Sequence, residues 1–171
     1  IMNFTLGSGT YTAVTVGGFE YSDSSYLVAG SCDIDNTKTT RNVFILSAPK
    51  SGNTPVIHSL SNYAGTEDTA SAPHLIKTGS NSFIIMWSSQ GRVYYTTLDG
   101  NGQKTSSIYQ MVGNLSDCVP VIVNGKLIWY TWKNEANTFY SINLSNLSEN
   151  HAVRIINGHK FTNEKPVNGL M

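Results

Sequence analysis

Short apolar runs separated by polar turns recur along the chain at a spacing of nearly fifty residues. Ala72-Pro73-His74-Leu75-Ile76 leads through Gly79 to Phe83-Ile84-Ile85-Met86-Trp87. The same order returns in Val119-Pro120-Val121-Ile122-Val123, which passes Gly125 to reach Leu127-Ile128-Trp129-Tyr130-Thr131-Trp132. Pro73 and Pro120 are 47 residues apart. An aromatic run follows in each copy, Val93-Tyr94-Tyr95-Thr96-Thr97-Leu98 and Phe139-Tyr140-Ser141-Ile142-Asn143-Leu144. A fainter third copy comes earlier, with Phe19-Glu20-Tyr21, Tyr26-Leu27-Val28-Ala29-Gly30 and Val43-Phe44-Ile45-Leu46. Each copy closes on a fourth apolar segment: Val56-Ile57-His58-Ser59-Leu60, Ser107-Ile108-Tyr109-Gln110-Met111-Val112 and Ala152-Val153-Arg154-Ile155-Ile156.

Runs this short, bounded by turn residues, are strands, and no stretch sustains a helical period. Asp99-Gly100 and Asn124-Gly125 are dipeptides that accept the positive φ of type I′ hairpin turns, so consecutive strands are expected to be antiparallel neighbours. The run from Phe83 to Trp87 is apolar without alternation, as a strand buried on both faces between two sheets must be.

Four strands in a period of 40–50 residues is the mark of propeller blades. Over roughly residues 19–156 the chain resembles the degenerate β-propellers of bacterial extracellular proteins: a first strand opened by Pro, a Trp-bearing second strand and a third strand of the Tyr94-Tyr95-Thr96-Thr97-Leu98-Asp99-Gly100 type. It has no WD dipeptide, kelch double glycine or sialidase Asp-box, so the resemblance is one of fold. The expected fold is therefore all-β, about three four-stranded antiparallel propeller blades (about 17–65, 72–113 and 118–156), with a two-sheet sandwich as the alternative. Residues 1–16 read as outer strands of a preceding blade, and 157–171 as a polar C-terminal tail. Three blades do not close a ring. Either an N-terminal half lies outside this chain, in keeping with its start at Ile1, or a second copy of the chain completes a larger propeller.

Charge adds an exclusion. Lys+Arg and Asp+Glu both total 11, which removes the field that draws proteins to nucleic acid or anionic membranes. No apolar run reaches the roughly 18 residues of a membrane span. Charged residues are only 13% of the chain, and Ser, Thr, Asn and Gly take their place, a texture that points to an extracellular or cell-surface protein. Cys32 and Cys118 stand alone, outside any zinc-type spacing, and are read as two buried residues, with a disulfide between blades as the alternative. No metal or cofactor is expected; Asp99-Gly100-Asn101-Gly102 lacks the spacing of a calcium loop.

By analogy with propellers, ligands should meet the first strands of the blades. That singles out Glu20, Tyr21, His74 and Asp117. Carboxylates on different blades are the pair that glycoside hydrolysis requires. Gly17-Gly18-Phe19-Glu20-Tyr21 resembles the acid motif of five-bladed glycoside hydrolases, which would make Glu20 the acid and Asp117 the base or modulator, although the third catalytic carboxylate of that family is not identifiable here. Trp87, Trp129 and Trp132 offer flat faces for stacking on sugars or on a protein. The leading expectation is a non-catalytic module for binding carbohydrate or protein, or for adhesion, on a bacterial surface. Part of a propeller glycoside hydrolase and a purely structural spacer are the alternatives.

Overall fold

The computed structural model describes residues 12–33, 40–64, 69–133 and 136–156. They form twelve strands in three four-stranded antiparallel sheets, with no helix among the described residues. Sheet I holds β1 (Thr12–Tyr21), β2 (Ser25–Asp33), β3 (Arg41–Pro49) and β4 (Val56–Ser59). Sheet II holds β5 (Ser71–Gly79), β6 (Ser82–Ser89), β7 (Arg92–Asp99) and β8 (Tyr109–Val112). Sheet III holds β9 (Val121–Val123), β10 (Lys126–Lys133), β11 (Ala136–Asn143) and β12 (Asn146–Ile156). Every sheet is a meander in which each strand pairs with its chain neighbour.

Among the described residues, two hairpins carry positive φ at both central residues: Gln90-Gly91 (48° and 71°) joins β6 to β7, and Asn124-Gly125 (48° and 72°) joins β9 to β10. That is the type I′ pattern, whose twist matches the strands it connects. Asp99-Gly100 is not such a turn. The Asp99 carboxylate accepts the Asn101 and Gln103 amides (2.8 and 2.9 Å), and the chain runs on through residues 100–108 before β8.

Sheet II stands between the other two. Phe83, Ile85 and Trp87 of β6 pack with Leu75 against Leu27, Ala29, Val43 and Ile45 of sheet I. Ile84 and Met86, on the opposite face of the same strand, pack with Tyr95 and Met111 against Leu127, Trp129, Tyr140 and Ile142 of sheet III. The unbroken apolar run of β6 thus serves two cores, one per face. At the inner edge, β1 lies against β5: a Cβ on Gly17 would come within 1.8 Å of the Pro73 carbonyl oxygen, and one on Gly18 within 2.9 Å of Leu75 Cβ.

Residues 12–16, expected in a preceding unit, instead begin β1, with Thr15 opposite Ser31 and Val16 opposite Gly30. A bulge before Gly18 keeps the strand in sheet I despite its irregular sequence pattern. The proposed tail at 157–171 lies outside the described residues, as does the chain before Thr12.

Candidate functional site

The first-strand residues do not converge on one site. Glu20 sits opposite Leu27 in β1, and so on the side of sheet I that faces sheet II, half-buried. Asp117 is exposed in the connection from β8 to β9, beyond sheet II. The middle sheet separates the two carboxylates, and among the described residues they share no partner. His74 is buried on the face of β5 that looks toward sheet III, where its Nε2–H donates to the Ser116 carbonyl (2.7 Å). That bond ties sheet II to the approach to β9.

Two of the three tryptophans belong to the cores rather than to a ligand surface. Trp87 is 1% exposed; its indole N–H donates to the Tyr63 hydroxyl (3.0 Å) and its ring stacks on Tyr94 (5.8 Å). Trp129 is also buried, donates to the Asn114 carbonyl (3.0 Å) and stacks on Tyr140 (5.1 Å). Both have their ring faces and their one donor occupied, so neither is available for sugar stacking. Trp132 is half-buried, on the face of β10 turned away from sheet II, opposite Asn137.

Tyr21 is the site candidate left accessible at the seam of sheets I and II. It is 55% exposed at the last position of β1. The Lys77 ammonium, from the end of β5, lies 4.0 Å from the ring centroid and donates to the Tyr21 carbonyl (2.6 Å). Lys50 approaches the same ring at 5.2 Å and the Tyr26 ring at 5.3 Å, and donates to the Ser22 carbonyl (2.6 Å). These are cation–π distances, and the carbonyl bonds fix both ammonium groups where they are.

No family model, characterised protein or solved structure matches the chain. The properties of the site therefore rest on its own geometry.

The turn between β1 and β2 holds that geometry. Ser22 is buried; its hydroxyl donates to the Gly100 carbonyl (2.7 Å) and accepts the Ser25 amide (2.9 Å), pinning the turn to sheet II. Asp23 extends outward, where its Oδ2 accepts the Asn81 amide N–H (2.6 Å) while its own backbone N–H donates to Asn81 Oδ1 (3.0 Å). Ser24 donates to Asn101 (2.9 Å). An aromatic ring, two ammonium groups, a carboxylate and two carboxamides thus share one rim, supplied by four different segments. The sequence reading named Tyr21 and missed Lys50, Lys77, Asp23, Asn81 and Asn101. The one signal was positional: Tyr21 and Lys77 lie near the ends of the first strands of successive repeats.

Among the described residues no three His, Cys, Asp or Glu side chains are grouped to hold a metal ion, and no helix is long and apolar enough to cross a membrane. Cys32 is buried and Cys118 exposed, both as free thiols, in place of the two buried residues expected.

Proposed function

We propose that the chain is a non-catalytic binding module of an extracellular or cell-surface protein, its three sheets acting as blades of a propeller-type assembly, and that its ligand is a carbohydrate met at the Tyr21 rim. The observation that carries this is the exposed Tyr21 ring held between Lys77 and Lys50, beside the outward Asp23–Asn81 pair. A flat, amphipathic ring stacks on the apolar face of a pyranose, and neighbouring ammonium, carboxylate and carboxamide groups bond its hydroxyls. Low overall charge and a Ser/Thr/Asn-rich surface suit the same setting. Hydrolysis draws less support, because Glu20 and Asp117 stand on opposite sides of sheet II.

The test is a glycan array followed by calorimetry with the wild type and Tyr21→Ala. Binding of at least one glycan class is expected, weakened about tenfold or more by the substitution, in line with about 1.4 kcal/mol for one well-placed ring. Binding that ignores Tyr21→Ala would refute the site. Glycoside turnover abolished by Glu20→Gln would replace the proposal with the hydrolase reading, and absence of both activities would leave the spacer.

A further inference from the structure

Among the described residues, two sheet faces are left uncovered. On the outer face of sheet I, the pairings place Val16, Phe19, Tyr26, Val28 and Leu46 together, with Tyr21 at the rim where β1 ends. On the outer face of sheet III they place Val121, Ile128, Tyr130, Phe139, Val153 and Ile155 together. Phe19 (62%) and Val121 (56%) are among the most exposed. Monomeric proteins rarely leave apolar faces of this kind in water.

The internal interfaces say what fits them. Ser25, Ser82 and Lys126 each begin the second strand of a sheet, so that strand provides a common register. In sheets II and III, the residue after that start (Phe83, Leu127) and every second one beyond it (Ile85, Trp129) face the preceding sheet. The same positions in sheet I are Tyr26 and Val28, on the uncovered face. The intervening positions face the following sheet: Leu27 and Ala29 in sheet I, Ile84 and Met86 in sheet II. In sheet III these are Ile128 and Tyr130, again uncovered. The outer face of sheet I is thus the counterpart of the sheet II face that sheet I covers. Likewise, the outer face of sheet III is the counterpart of the sheet II face that sheet III covers. The two bare faces are the two halves of an interface the chain already makes twice.

We propose that a second copy of this chain docks head-to-tail, sheet III of each copy on sheet I of the other. A dimer closed at both contacts is the smallest assembly in which neither face stays bare, whereas one contact alone would propagate into a chain of copies. The register also predicts a contact. Leu75 packs on Gly18; Leu75 pairs with Ile85 as Phe19 pairs with Val28, and Gly18 pairs with Ala29, whose counterpart in sheet III is Tyr130. Since Val121 pairs with Ile128, two residues before Tyr130, Phe19 of one copy meets positions 119–121 of the other.

Light scattering coupled to size exclusion tests this on the 171-residue chain. The wild type is expected at twice 18.6 kDa. Phe19→Asp and Val121→Lys, both at exposed sites and checked for folding by circular dichroism, should each run as a monomer. An equimolar mixture of the two should recover the dimer, because one contact then joins Asp to Lys and the other is wild type. A monomeric wild type overturns the proposal, as does a dimer that survives either single variant or a mixture that stays monomeric. Glycan binding is measured on the wild type and on the Phe19→Asp monomer, so that a Tyr21 rim shielded by the docked copy is told apart from a rim that binds no glycan, while mass alone decides the docking.

Discussion

Cys32 and Cys118 show how far a residue's chemistry depends on where the fold sets it. Burial in β2, with Asp33 adjacent, pushes the Cys32 thiol up to about 11 from its ordinary 9.0, and Arg41 offsets only part of that. The unfolded chain loses this proton near pH 9, while the folded chain keeps it. Stability is therefore unaffected below pH 9, falls between pH 9 and 11, and then levels off. Cys118 is open to reagents. With a thiol-reactive dye at neutral pH, one thiol per chain should label at once and the second only in denaturant. In addition, the fall in urea midpoint from pH 9 to 11 should shrink in Cys32→Ala. Two fast thiols, or an unchanged pH slope, would refute the assignment. Neither environment was legible beforehand, because both cysteines lie in similar polar-apolar sequence. The tryptophans teach the same lesson: a ring suited to a sugar is equally suited to a core, and only the stacking partners Tyr94 and Tyr140 decide which it fills.

At the scale of the element, the strand runs and the Asn124-Gly125 turn could be read directly. Gln90-Gly91 adopts the same turn but escaped notice, since Gln is not a residue that favours positive φ. Asp99-Gly100 misled because its carboxylate finds amide partners within a longer connection, an alternative open to any Asp. The glycines of β1 matter differently. Gly17→Ala should destabilise by about 3 kcal/mol, since its methyl would meet the Pro73 backbone. Gly125→Ala should cost only about 1 kcal/mol, because the space is open and only the positive φ is strained. Urea unfolding of the two variants checks the order. If Gly17→Ala were the milder, the close approach of β1 to β5 would be wrong.

For the whole molecule, the position of sheet II sets the expected pattern of local stability. β6 is hydrogen-bonded on both sides and buried on both faces, whereas β9 is a three-residue edge with exposed side chains. Native-state hydrogen exchange should therefore find the slowest amides in β6 and much faster ones in β9 and β12. Equal protection throughout would contradict the layered arrangement. The sequence alone determined the repeat, the strand class and the strand that must be covered on both faces, because periodicity and turn chemistry are local and act through neighbours a few residues apart. Only the tertiary structure decided that residues 12–16 join sheet I, that Trp87 and Trp129 are core, that Glu20 and Asp117 stand apart, and that Tyr21 meets Lys50 and Lys77. Those outcomes depend on which face of one sheet meets which edge of another, a long-range choice made by packing.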